Sequence, residues 1–123
     1  MKKVLIVDDE QEVAILIQET LLDQGFDAHA VFSSLEALEL LKTNNYHLVI
    51  TDVIMPGLNG IELTEHVFNN YPDTKVLACS GGGNSGKLVA GMALDQALEE
   101  GADNALLKPF TQEELVVKVK NLI

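Results

Sequence analysis

Apolar and polar positions follow two rhythms along this chain. Lys3 to Val7 is a short, continuous apolar run, Val4-Leu5-Ile6-Val7, the pattern of a strand buried on both faces. From Glu10 to Gln24 the apolar positions become Val13, Leu16, Ile17 and Leu21, a helical spacing. Gly25 follows where such a helix should end. At 100° per residue Gln11, Ile15, Gln18 and Leu22 fall on the opposite face, which leaves Ile15 and Leu22 as exposed apolar residues. Asp27 to Phe32 is a weaker strand suited to an edge, and Ser33 or Ser34 caps a helix carrying Leu35, Leu38 and Leu41.

The alternation continues to the end. His47 to Thr51 is a third strand, then Pro56, Gly57, Asn59 and Gly60 form a turn-rich loop before a helix over Ile61 to Asn70. Lys75 to Cys79 is a fourth strand, and a Ser-Gly-rich stretch leads into a helix from about Lys87 to Glu100, stopped by Gly101. That helix is unusually apolar, which fits an output or self-association surface, or a deeper position than usual. Asn104 to Leu107 is a fifth strand, and Thr111 caps a last helix running to about Leu122. Five strands alternating with five helices predict a (βα)5 chain, an α/β, doubly wound five-stranded parallel sheet covered on both faces. No linker or internal repeat divides residues 1–123, so a single domain is expected.

Composition narrows the function. The chain has 123 residues and is 47% apolar, enough to bury a core without disulfides or metal staples. A net charge of −11 repels phosphate backbones and anionic lipid, which disfavours nucleic-acid and membrane partners and favours cations. The first apolar run stops at Asp8-Asp9-Glu10, too short for a signal peptide or a bilayer span. With one cysteine, Cys79, and no export signal, a cytoplasmic location is expected.

In sheets of this kind ligands gather at the carboxyl ends of the strands. Asp8 and Asp9 follow the first strand, Asp52 the third, Ser80 the fourth and Lys108 the fifth. Several carboxylates brought together repel one another unless a cation intervenes, and Mg²⁺ characteristically takes one or two carboxylates plus a phosphate. Lys108 adds a positive charge suited to a phosphoryl oxygen or to Asp52, and Ser80 a hydroxyl donor. Carboxylate nucleophile, metal, ammonium and hydroxyl are the parts needed to transfer a phosphoryl group to an aspartate.

Across its whole length the sequence resembles a response-regulator receiver domain, the phosphoacceptor half of two-component signalling. The resemblance rests on Val4-Leu5-Ile6-Val7-Asp8-Asp9-Glu10, Leu48-Val49-Ile50-Thr51-Asp52, Met55-Pro56-Gly57-Leu58-Asn59-Gly60, Ser80, Gly101-Ala102-Asp103 and Lys108-Pro109-Phe110, in that order. It implies the flavodoxin-like strand order 2-1-3-4-5. It also implies that Asp52 takes a phosphoryl group from a phosphohistidine on a sensor histidine kinase or a histidine phosphotransfer protein. Asp9 and Asp52 would bind Mg²⁺ (or Mn²⁺) through side chains, Ile54 through its carbonyl and Asp8 mainly through water. Ser80 and Lys108 would contact the phosphoryl group, and the first helix would dock the donor. With no effector in these 123 residues, output would pass through contacts with a downstream protein or through onward phosphotransfer.

The sequence departs from the family in two places. Many members carry an aromatic residue three positions before the Lys-Pro pair, and here that residue is Ala105, which has no rotamer to switch. The stretch from Ser80 to Gly101 is longer than usual and opens with three glycines, so the loop over Gly81 to Gly86 is the expected moving part. Neither Ile54 nor Gly82 can orient a water through a polar side chain, which predicts slow self-dephosphorylation. Three other readings compete. A degenerate receiver would serve only as a binding module. Alternatively Gly81 to Lys87 fits G-x-x-x-x-G-K, the nucleotide-binding P-loop, although Leu88 stands where that motif needs Ser or Thr. Flavin binding would require aromatics in the first loop, which is acidic instead.

Overall fold

The computed structural model describes residues 1–55, 59–81 and 86–123, with side chains in the last segment from Leu88 onward. Ten elements alternate: β1 (Lys3–Val7), α1 (Gln11–Asp23), β2 (Asp27–Val31), α2 (Ser34–Thr43), β3 (Leu48–Asp52), α3 (Gly60–Asn70), β4 (Lys75–Ser80), α4 (Gly86–Glu99), β5 (Asn104–Leu107) and α5 (Gln112–Leu122). The strands form one sheet in the order β2-β1-β3-β4-β5, and every neighbouring pair is parallel. This is the expected doubly wound, flavodoxin-like fold, with β2 at an edge.

Strand alternation divides the core between the two faces of the sheet. Val4, Ile6, Leu48, Ile50, Leu77 and Cys79 point to one side and pack against α1 and α5 through Ile17, Leu21, Leu115 and Val119. Leu5, Val7, Val49 and Val76 point to the other side, against Ala37 and Leu41 of α2 and Leu63 and Val67 of α3. Ala78 continues that second face beneath Leu94 and Ala97 of α4.

Two helices present faces different from those the leucines predict. In α1 the buried residues are Ala14, Ile17, Thr20 and Leu21, whereas Leu16 is 51% exposed. The buried face is therefore centred nearer Ala14, and Leu16 turns toward a groove. Ile15 and Leu22 are exposed as expected. In α2 Ser34, Ala37 and Leu41 are buried while Leu35 is 69% exposed. Steps of three lag by 60° each, so Leu35 and Leu41 cannot share a face. Helix α4 does not lie deeper than usual: Ala90, Leu94 and Ala97 face the sheet, and Leu88, Val89, Met92 and Leu98 are exposed.

Local chemistry fixes the helix ends. Ser33 caps α2 by accepting the Glu36 backbone N–H, Asn59 caps α3 by accepting from Ile61 and Glu62, and Thr111 opens α5 with a reciprocal capping box to Glu114. Gly25 follows α1 at φ +89°, a conformation that side chains disfavour.

Candidate functional site

Just past β1, β3 and β5 the backbone stays bonded to the end of a neighbouring strand. The Asp8 backbone N–H donates to the Val31 carbonyl, that of Val53 to Cys79, and that of Lys108 to Ser80 at 2.9 Å. These bonds extend the ladder past the strand ends, so Asp8, Asp52, Ser80 and Lys108 sit on one rim of the sheet. Gly60 lets α3 start hard against that rim: a Cβ there would stand 1.9 Å from the Asp52 carbonyl oxygen.

Lys108 closes the site. Its Nζ donates to Asp8 Oδ2 at 2.7 Å and to Asp52 Oδ2 at 3.0 Å, joining β1, β3 and β5 through one ammonium. Glu10 Oε1 lies 3.6 Å from the same nitrogen. Asp8 Oδ1 accepts the Glu10 backbone N–H at 2.9 Å, and Asp52 Oδ1 accepts that of Ile54 at 3.1 Å. Asp8 and Asp52 are buried, Lys108 is nearly so along its side chain, and Glu10 reaches out into solvent. The Lys108 stem packs on Gly81, where a Cβ would come within 3.1 Å of the lysine Cβ.

The electrostatics follow from this burial. Desolvation raises the Asp8 carboxyl above the ordinary aspartate range, and the Asp52 charge adds to the rise although Lys108 opposes it. Desolvation would lower the Lys108 ammonium, but its hydrogen bonds to Asp8 and Asp52 and their charges more than offset that, so its pKa is raised. Lys108 is therefore a fixed positive charge at neutral pH. Next to it, burial pushes the Cys79 thiol up to about 12, which makes it an inert core residue.

Of the residues picked from the sequence, the structure gathers Asp8, Asp52 and Lys108 by direct contact. Ser80 is fully buried, and its Oγ has no hydrogen-bond partner among the described residues. Asp9 is exposed and stands outside the converging acids, while Ile54 is 47% exposed and contributes its N–H to Asp52. The third acid is instead Glu10: carboxylate oxygens of Asp8, Glu10 and Asp52 lie within 4.8 Å of one another. Glu10 was missed because it reads as the first residue of a helix. Its position as N-cap of α1, directly after the strand-end aspartates, was the available signal. Within the glycine stretch Gly82 to Ser85 lie outside the described residues, as do Pro56, Gly57 and Leu58, while Gly86 and Lys87 begin α4.

The site suits a hard divalent cation and a phosphoryl group together. Three carboxylates supply oxygen donors of the kind Mg²⁺ and Mn²⁺ take. A buried hydroxyl without a partner among the described residues and a buried ammonium supply donors for phosphoryl oxygens. Beside this rim a groove of about 400 Å³ runs between α1 and α5, lined by Val13, Leu16, Phe110 and Leu115, with Glu10 and Lys108 at one end. It accounts for the exposure of Leu16.

Residues 4–120 match the family model of the response regulator receiver domain. The chain belongs to that family. The transcriptional regulatory protein CpxR homolog of Haemophilus influenzae is 37% identical over 123 residues, covering all of this chain and 51% of that protein. Response regulator ArlR of Staphylococcus saprophyticus is 30% identical over 123 residues, covering 53% of its own length. The chain thus spans about half the length of the curated relatives it matches. Among solved structures, the receiver domain of the Francisella response regulator 1452 superposes with a TM-score of 0.85 at 33% identity, over 99% of this chain and 96% of that one. A response regulator receiver domain protein from Clostridium thermocellum gives 0.87 at 29% identity, over 100% and 94%. As a receiver domain, the chain has the phosphoacceptor role of two-component response regulators. No helix among the described residues is long and apolar enough to cross a membrane.

Proposed function

We propose that residues 1–123 act as one receiver unit in which Asp52 accepts a phosphoryl group from a phosphohistidine, donated by a sensor histidine kinase or a histidine phosphotransfer protein. The observation that carries this reading is the Lys108 ammonium held between Asp8 and Asp52, 2.7 and 3.0 Å away. It places a positive charge beside the one acid at the centre of the sheet. An Asp52 carboxylate oxygen attacks phosphorus, the P–N bond to the donor imidazole breaks, and the imidazole leaves with the bond's electron pair. The Ile54 N–H holds the carboxylate still while this happens. Lys108 and Ser80 then stand ready to donate to phosphoryl oxygens as negative charge builds on them.

Asp8 and Asp52, with the Ile54 carbonyl and with Asp9, which the family resemblance implies although its side chain is exposed in this structure, would hold Mg²⁺ (or Mn²⁺). Such an ion screens the charge of the incoming phosphoryl oxygens from the acids. The exposed Ile15 and Leu22 on α1 would receive the donor's helix. The exposed Leu88, Met92 and Leu98 on α4 would meet a downstream protein. Ile54 cannot position water through its apolar side chain, which favours slow self-dephosphorylation. The acidic surface supports a protein partner over nucleic acid or membrane, and the free Cys79 is in keeping with a reducing, cytoplasmic setting.

The direct test incubates the protein with Mg²⁺ and a small-molecule phosphodonor and weighs it intact. One added phosphoryl group is expected in the wild type, and none in Asp52→Ala or in a metal-chelated control. An unmodified wild type would instead favour a degenerate receiver that only binds partners.

A further inference from the structure

The acid that the sequence reading passed over has a place in the switch. In this structure the cation between Asp8 and Asp52 is the protein's own Lys108 ammonium, 2.7 and 3.0 Å from them. A second cation drawing on the same two carboxylates competes with it, because each positive charge lowers the attraction available to the other. The ammonium must therefore yield when a divalent ion arrives. It cannot travel far: its backbone is hydrogen-bonded to Ser80 and its stem rests on Gly81. Glu10 Oε1 waits 3.6 Å away, on the solvent side of the buried pair, with its side chain 65% exposed.

We propose that Glu10 is a positioning residue that receives the Lys108 ammonium when a divalent cation takes Asp8 and Asp52. The reading rests on the proposal that these acids bind such a cation. It gives Glu10 a role distinct from ligation. A direct ligand strengthens metal binding whether or not the lysine is present. A receiving acid helps only while there is an ammonium to receive. Because Glu10 is exposed, its pairing with Lys108 is a surface-type interaction, and the expected effect is modest.

The test is a double-mutant cycle on Mn²⁺ affinity, read by electron paramagnetic resonance of the free ion, with no phosphodonor present. Four proteins are compared: wild type, Glu10→Gln, Lys108→Met and the double variant, each checked for the native circular dichroism spectrum. Glu10→Gln keeps the side chain's shape and removes only its charge. In the presence of Lys108 it should weaken Mn²⁺ binding about three- to fivefold, the range of an exposed ion pair. Lys108→Met should tighten binding, and in that background Glu10→Gln should cost less than about twofold. Equal losses in both backgrounds would make Glu10 a ligand and overturn the proposal, as would no loss in either. A wild type that fails to bind Mn²⁺ would instead remove the cation reading on which the proposal rests, whereas wild-type binding with an unpaired cycle removes the Glu10 role alone.

Discussion

Replacing Lys108 with methionine should cost stability in a way that depends on pH. Methionine keeps the apolar stem against Gly81 and removes only the charge, leaving Asp8 and Asp52 buried side by side without their counter-ion. Breaking a buried pair in this manner costs about 3–5 kcal/mol when no relief is open to the orphaned group. Here relief exists, because one aspartate can take up a proton and share it with the other. For a carboxyl with an ordinary pKa of about 3.9, that uptake costs about 1.36 kcal/mol per pH unit above it, or about 4 kcal/mol at about pH 7. The proton therefore sets a ceiling. We expect a loss of about 2–4 kcal/mol at about pH 7 and below about 1.5 kcal/mol at about pH 5.

The sign follows from Asp8, whose folded pKa is already raised by burial with Lys108 in place. Removing the ammonium raises it further. A carboxyl of this kind favours the fold most below its unfolded pKa, and that contribution fades as pH climbs through the folded value. The penalty of the variant thus grows with pH across the window that opens near the ordinary aspartate pKa. Urea unfolding followed by far-ultraviolet circular dichroism at the two pH values measures it for both proteins. An equal loss at both pH values would trace the effect to packing. A loss below about 0.5 kcal/mol at neutral pH would show that the ammonium does not hold the acids together.

Three further outcomes are expected. Gly60→Ala puts a Cβ 1.9 Å from the Asp52 carbonyl oxygen, so α3 or the strand end must move, lowering stability by about 1–3 kcal/mol in thermal melts and slowing modification of Asp52. Ser80→Ala removes a buried hydroxyl that lacks a partner among the described residues, so it should leave urea stability within about 0.5 kcal/mol while slowing phosphoryl uptake at least about tenfold. A drop in stability would mean the hydroxyl is bonded after all. Cys79, buried and with its thiol pushed up to about 12, should not react with an aromatic disulfide reagent until urea unfolds the chain.

The strand pattern was legible because each strand is a short apolar run closed by a polar residue, and a buried parallel sheet allows little else. Lys3 to Val7 and Asn104 to Leu107 emerged with the expected bounds. The helices were legible in number but less so in orientation. Counting leucines assigned Leu16 and Leu35 to the core, where the structure buries Ala14, Thr20, Ser34 and Ala37. Small residues carry little hydrophobic signal, yet close helix–sheet packing prefers them. The site showed the same divide. Asp8, Asp52, Ser80 and Lys108 could be located because position after a strand is a one-dimensional property. Which first-loop acid lies close to Asp8 and Asp52 is a matter of side-chain direction, and there the sequence could not separate Asp9 from Glu10.

Lys108 is one physical link from the site to the rest of the fold. Its two short contacts bridge residues 56 and 100 positions away, so the ammonium ties the ends of β1, β3 and β5 into one body. Added charge at Asp52 acts first on its nearest cation, and besides its bond to Asp8 that cation is fastened to the end of β4 at two points. One is the hydrogen bond from its own N–H to the Ser80 carbonyl, and the other is the packing of its stem on Gly81. Both lie at the end of β4, immediately before the segment that leads into α4. On β5 the residue three positions earlier is Ala105, packed with Val53, Ala78, Leu94 and Ala97 between the sheet and α4. An alanine there has no rotamer with which to relay a change. With no rotamer at Ala105 to turn, two packed routes lead from Asp52 toward α4: the backbone at Ser80 and Gly81, which Lys108 touches, and Val53, which packs with Leu94 and Ala97.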